Sequence, residues 1–151
     1  MKTLMVAIRV TDLDRSLGFY AAIGYAELGR ITTGDGGTLA VLELPDEPVA
    51  AFELVHRPAD GPVQVGDGLD HLAIQVDTLA PTRERLAAAG LSAGTVEHPG
   101  GPHEPAVSWL TDLDGYRIEL VEWPPGHAGG ITAADFEPHP PSKPGWAVGK
   151  P

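Results

Sequence analysis

The sequence predicts an α+β protein of two tandem β-α-β-β-(β) modules. Three observations support this prediction: an internal repeat, strand-type alternation of apolar residues at the start of each repeat, and a helix-type segment directly after it. With 151 residues, 42% of them hydrophobic, the chain is long enough to bury a core. We expect a single domain over residues 1–122 and a Pro/Gly-rich C-terminal arm over residues 123–151.

The repeat becomes visible when the chain is shifted by 66 positions, which aligns residues 4–55 with residues 70–121. Of the 52 aligned pairs, 15 are identical, and no gap is needed. The match includes Glu53-Leu54-Val55 against Glu119-Leu120-Val121. We interpret this similarity as the duplication of one module.

The first module opens with a strand and continues with a helix over residues 13–23. Asp12 or Asp14 indicates the start of this helix, and Gly24 indicates its end. The strands of this module are expected at residues 4–10, 38–44 and 49–55.

The second module has the same order, with a helix expected over residues 78–89. Thr78 and Pro81 indicate the helix start, and Gly90 indicates its end. Its strands are expected at residues 71–76, 106–110 and 116–121, and Asp112-Leu-Asp-Gly115 is typical of a hairpin turn.

Composition excludes several function classes. The net charge of −11, with ten scattered Lys and Arg residues, disfavours nucleic-acid binding, which needs a clustered basic face. No cysteine is present, so disulfides, thiolate metal sites and thiol nucleophiles are excluded. No segment has the apolar length of a membrane span, and no secretory signal is visible. We expect a cytoplasmic protein without a membrane or nucleic-acid partner.

Strand alternation predicts which residues face the cleft. Glu53 lies between core residues Phe52 and Leu54, and Glu119 occupies the equivalent position in the second module. His71 faces the same side as Glu119 and is equivalent to Met5. If the modules are related by a pseudo-twofold axis, two carboxylates and an imidazole meet there, and a divalent cation would offset their repulsion.

The plain alternative is that each Glu is the polar side of an amphipathic strand and that His71 is an ordinary hydrogen-bonded histidine. Other residues of the cleft face are candidates for contact with a substrate, and a histidine in the loop 97–104 is a further candidate for contact with metal or substrate. These residues are Met5, Arg9, Gln75, Arg117 and the loop residue His103.

Four segments resemble glyoxalase I and its relatives in the vicinal oxygen chelate superfamily, also called the glyoxalase/bleomycin-resistance/dioxygenase family. They are Ile8–Tyr20, Phe52–Val55, Gly68–Val76 and Asp112–Glu122, within a resemblance that covers residues 4 to about 123. The resemblance implies an α+β fold of two tandem β-α-β-β-β modules whose curled mixed sheets surround a metal-binding cleft. Such proteins are usually homodimers, so that the cleft can draw residues from two chains.

Glyoxalase I has four metal ligands in the order His, Glu, His, Glu, and the last three match Glu53, His71 and Glu119. The first falls on Met5, a poor ligand for hard or borderline metals. Arg9 matches an arginine that binds a substrate carboxylate in glyoxalase I. The resemblance therefore implies one divalent ion, of nickel, zinc, cobalt, manganese or iron.

The resemblance implies a lyase or isomerase that acts on a small oxygenated molecule of the hemithioacetal type through an enediolate. Glu119 is the first candidate for the proton-shuttling base, and Glu53 is the second. The alternatives are a metal-free protein that binds a drug or metabolite, as bleomycin-resistance relatives do, and an epimerase or dioxygenase of the same superfamily. We expect the C-terminal arm to pack on the partner subunit of a homodimer.

Overall fold

The computed structural model describes residues 1–127 and 129–136. Within them, seven strands and two α-helices follow one another in an order that repeats. They are β1 (Val6–Val10), α1 (Leu13–Ile23), β2 (Ala26–Thr32), β3 (Thr38–Glu43), β4 (Phe52–His56), β5 (Leu72–Gln75), α2 (Leu79–Ala88), β6 (Ala106–Thr111) and β7 (Arg117–Glu122). Short 3₁₀ turns occupy Pro58–Asp60 and Ala133–Phe136.

The strands form two mixed sheets, which confirms the α+β class. The first sheet has the order β1-β4-β3-β2 and the second has the order β5-β7-β6. In each sheet the strand before the helix pairs in parallel with the last strand of its module, and the remaining pairs are antiparallel. The second sheet has no strand equivalent to β2 among the described residues, where Glu97 forms only an isolated bridge with Val107. Prolines 99, 102 and 105 remove backbone donors from this segment and so disfavour a longer strand.

The sheet register reproduces the repeat at the parallel strand pairs. Ala7 is opposite Glu53, and Ala73 is opposite Glu119, so both pairs keep the offset of 66 residues. The antiparallel pairs do not keep this offset. Glu53 is opposite Val41 and Glu119 is opposite Trp109, and Val41 and Trp109 are 68 residues apart. The ungapped alignment is therefore wrong by two residues at β3 and β6. The connection before the last strand is shorter in the second module, which explains the difference.

Both modules contribute to one core. The helices cover the inner faces of the sheets, and the residues that are almost completely buried come from both halves of the chain. They include Val10, Tyr20, Leu42, Leu54, Leu79, Leu86, Ile118 and Leu120. At about 25 cal/mol per Å² of buried apolar surface, this shared core is the main force that holds the modules together.

The helix ends follow the predicted signals in part. The Asp12 side chain accepts a hydrogen bond from the Arg15 N–H at 3.1 Å, and Gly24 ends α1 with φ of 133°. Thr78 stands at the start of α2, but its side chain makes no capping bond. Instead, Glu122 at the end of β7 accepts from the Leu79 N–H at 2.6 Å. A carboxylate from a neighbouring strand thus stabilises the positive end of α2.

The described part of the C-terminal arm contacts its own chain. The Trp123 indole donates a hydrogen bond to the Gln75 side chain on β5. Residues 137–151 of the predicted arm lie outside the described residues. No helix in the described part of the chain has the length and apolar character that a membrane span requires.

Candidate functional site

The second sheet has one buried face and one open face. Ile74, Ile118 and Leu120 point into the core, as strand alternation predicts. The alternate positions form what we call the site face of the second sheet. Its residues are His71, Ala73, Gln75, Trp109, Arg117 and Glu119.

His71 and Glu119 are brought together on this face. The His71 Nε2 atom lies 3.4 Å from a Glu119 carboxylate oxygen, and the two side chains are 33% and 19% exposed. The edge of the His71 ring packs against Trp109, with 5.2 Å between the ring centroids. The pair is therefore partly shielded from solvent while both groups stay accessible.

Asp70 determines which nitrogen of His71 is available. Its carboxylate lies 2.6 Å from the His71 Nδ1 atom, which is a short hydrogen bond when that nitrogen carries the proton. This hydrogen bond, together with the charge of Arg117 at 3.7 Å, lowers the pKa of Asp70. In this tautomer Nε2, which lies 3.4 Å from a Glu119 oxygen, carries a lone pair, as the carboxylate oxygens also do.

The donor set of this pair fits a divalent cation. Two ligands that each lie about 2.1 Å from a common cation stand roughly 3.0 to 3.4 Å apart, which matches the separation of His71 and Glu119. An imidazole backed by a carboxylate is also a common arrangement for a metal ligand. However, no group of three His, Asp or Glu side chains in the described ranges could hold a metal ion.

Glu53 and Met5 belong to the first sheet. Glu53 is half-buried on β4, between Ala7 of β1 and Val41 of β3, and points away from the core. Met5 is half-buried and directly precedes β1. The equivalent positions of the two modules thus lie on equivalent faces, as the repeat predicts. Within the described part of one chain, Glu53 does not lie close enough to His71 and Glu119 to share a metal ion with them.

The predicted substrate-binding residues have different surroundings. Arg9 donates to the Gly61 carbonyl at 3.0 Å and lies 3.9 Å from Asp60, so the connection between the two modules holds it. Arg117 stacks over the Trp109 ring at 4.4 Å. Gln75 accepts hydrogen bonds from the C-terminal arm. His103 lies in an exposed turn.

Comparison with known proteins identifies the fold family. The family model described as "Glyoxalase/Bleomycin resistance protein/Dioxygenase superfamily" matches residues 2–120. The chain belongs to this superfamily. The match includes both sheets except the last two residues of β7, and it ends before the C-terminal arm.

Three relatives show what this superfamily member is similar to. A probable lactoylglutathione lyase of Vibrio cholerae is 34% identical over 134 residues, which cover 85% of this chain and 95% of the relative. The trypanothione-dependent glyoxalase I of Leishmania major superposes with a TM-score of 0.65 at 25% identity, covering 81% of this chain and 86% of that one. A bleomycin-binding protein superposes at 0.59 with 16% identity, covering 81% and 98%, and shows the fold alone.

Sequence reasoning missed three residues of the site. Asp70 supports His71, Trp109 packs against His71 and Arg117, and Trp123 binds Gln75. Alternation along β6 could have placed Trp109 on the site face if the register of β6 with β7 had been known. No pattern signals Asp70, which precedes β5, whereas Trp123 directly follows β7 and continues the alternation of Arg117 and Glu119.

Proposed function

We propose that this superfamily member is a metal-dependent lyase of the lactoylglutathione lyase type, which converts a hemithioacetal into a thioester of a hydroxy acid. One observation carries the proposal: His71 Nε2 lies 3.4 Å from a Glu119 carboxylate oxygen, while an Asp70 carboxylate oxygen lies 2.6 Å from His71 Nδ1. The similarity to lactoylglutathione lyases supports the choice of reaction.

The cation would be held by residues of two copies of the chain. His71 and Glu119 of one copy would supply two ligands, and Glu53 of a second copy would supply the third. This arrangement gives a homodimer two equivalent sites. Met5 supplies only a thioether, so three protein ligands are expected where glyoxalase I has four. A divalent ion bound there would supply Lewis acidity for two neighbouring substrate oxygens.

The protein side chains would carry the proton. Glu119 removes the proton from the carbon that bears sulfur and hydroxyl, and returns it to the neighbouring carbonyl carbon. The hydroxyl proton passes to the oxygen of that second carbon, so the product is an isomer of the substrate and atoms balance. Glu53 is the second candidate for this base. Trp109, which packs against His71, limits the access of water to that residue. Arg117, which stacks on Trp109, places a positive charge beside the pair for an anionic group of the substrate.

Turnover of the methylglyoxal hemithioacetal by protein loaded separately with nickel, cobalt, zinc, manganese or iron tests this proposal. We expect thioester formation that a chelator abolishes, and a loss of about 10²-fold or more in kcat for Glu119→Gln. Glu84→Gln, on the exposed face of α2, is the matched control and should leave kcat unchanged. Absence of turnover with all five metals would contradict the proposal.

A second candidate function is metal-free binding of a drug or metabolite. Met5 favours it, because this residue stands where glyoxalase I has its first histidine ligand. Metal content after purification without added metal separates the two functions. A bound divalent ion close to one per chain supports the lyase, whereas metal-free protein that still binds bleomycin supports the binder.

A further inference from the structure

The C-terminal arm is anchored on the same sheet face as the His71–Glu119 pair. Trp123 follows β7 by one residue and continues the alternation that begins with Arg117 and Glu119. Its indole N–H donates to the Gln75 side-chain oxygen at 3.1 Å. The Gly130 backbone N–H donates to the same oxygen at 2.8 Å. These two bonds hold the arm at the carboxyl ends of β5 and β7.

Contacts within the arm hold its shape, and we call them the clasp: they join Trp123, His127, Thr132 and Asp135. The His127 ring stacks on the Trp123 indole, with 4.1 Å between centroids and 6° between planes. His127 Nε2 lies 2.7 Å from an Asp135 oxygen, and the other oxygen accepts from Thr132. The bonds from Thr132 and His127 lower the pKa of Asp135 to about 2, so this carboxylate is ionised at neutral pH. The clasp therefore keeps His127 against Trp123.

The approach of the arm to β5 leaves little space. A Cβ atom added at Gly129 would lie 3.2 Å from the Gln75 side-chain nitrogen, which is tighter than an ordinary contact. A side chain at this position would therefore require the Gln75 amide to shift by a few tenths of an ångström. This close approach, together with the two hydrogen bonds and the clasp, indicates a defined docking position.

We propose that the docked arm, with Gln75, Trp123 and His127, forms the end wall of the substrate cleft and limits the length of the substituent on the aldehyde-derived part of the substrate. The inference rests on the proposed function. Ala73, which is opposite Glu119, is followed on the same face by Gln75 about 6.6 Å further along the strand. A methyl group on the aldehyde-derived part of the substrate is much shorter than the distance from Ala73 to Gln75, whereas a phenyl group spans most of that distance.

Arm variants that leave His71, Glu119 and Gln75 in place test this inference. Asp135→Ala removes the clasp, and Gly129→Val makes the docking position too crowded. For each variant, kcat/KM is measured with the hemithioacetals of methylglyoxal and phenylglyoxal formed from the same thiol. Hydrogen exchange at the Gly130 amide reports independently whether the arm has been released. Glu84→Ala is the control that removes an exposed carboxylate elsewhere.

We expect faster exchange at Gly130 and a rise of about 10-fold or more in the phenyl-to-methyl ratio of kcat/KM in both arm variants. A general loss of stability would lower kcat/KM for both hemithioacetals and leave the ratio of the two unchanged. If a variant shows faster exchange at Gly130, so that its arm is released, but an unchanged ratio of kcat/KM, the inference is overturned while the proposed function stands. Unchanged exchange in both variants also overturns it, because the arm is then not held by these contacts. Absence of turnover of either substrate by the wild-type protein overturns the proposed function as well.

Discussion

At the scale of single residues, the site depends on how His71 is held. Strand alternation alone placed His71 and Glu119 on one face, and the structure brings them to 3.4 Å. The contact with Asp70 was not predictable in the same way, because Asp70 precedes the strand and its direction depends on the local backbone. Periodicity therefore identifies the two candidate ligands, but not the carboxylate that lies against one of them.

Removing the Asp70 carboxylate should weaken cation binding. We expect Asp70→Ala to lower the affinity for nickel or zinc by about 10- to 100-fold, because His71 loses the partner that fixes its ring and tautomer. Asp70→Asn keeps an acceptor oxygen and should lie between the wild type and Asp70→Ala. Titration calorimetry measures these affinities, with Asp67→Ala, an exposed carboxylate of the same connection, as the control. Equal affinities for Asp70→Ala and Asp67→Ala would show that Asp70 has no positioning role.

At the scale of elements, a buried side-chain hydrogen bond links the two modules. The Tyr20 hydroxyl of α1 donates to a buried Asp112 oxygen at 2.9 Å. The other Asp112 oxygen accepts the backbone N–H groups of residues 114–116, which form the predicted hairpin turn. The sequence predicted both the helix and the turn, since caps and glycines indicate them locally. It did not predict their contact, because no periodic pattern tells which turn a helix will meet.

Tyr20→Phe should lower the free energy of unfolding by about 1.5 to 3 kcal/mol at neutral pH, the usual range for a hydrogen bond to a charged group. Burial, followed by the charge of Asp112, raises the pKa of Tyr20 above its ordinary 10.0. The folded protein therefore holds this proton longer than the unfolded chain, so stability is present below pH 10 and falls as the pH rises above it.

Urea unfolding at pH 7 and at pH values above 10 measures both effects. We expect a smaller alkaline loss of stability in Tyr20→Phe than in the wild type. Tyr116→Phe keeps the Tyr20–Asp112 bond and should retain most of the alkaline loss. If the wild type and Tyr20→Phe lose stability equally above pH 10, Tyr20 is not the group responsible.

At the scale of the whole molecule, each chain presents two unlike sets of candidate ligands. The first sheet carries Glu53 opposite Ala7, and the second sheet carries His71 with Glu119. The internal repeat predicted that these faces are equivalent. It did not establish whether they meet within one chain, because alternation fixes which way side chains point within a sheet and not how two sheets are placed. Pairing of two copies about a twofold axis would oppose unlike halves and create two sites.

Mixing of two inactive variants tests this shared site most directly. Glu53→Ala and His71→Ala should each lack lyase activity and bound metal. When the two variants are refolded together, they should form heterodimers. One site of each heterodimer lacks both Glu53 and His71. The other site has Glu53 from one chain and His71 with Glu119 from its partner. With random pairing, half of the dimers are mixed, so we expect roughly one quarter of wild-type activity and metal content. A mixture as inactive as its components, although heterodimers have formed, would contradict a site built from two chains.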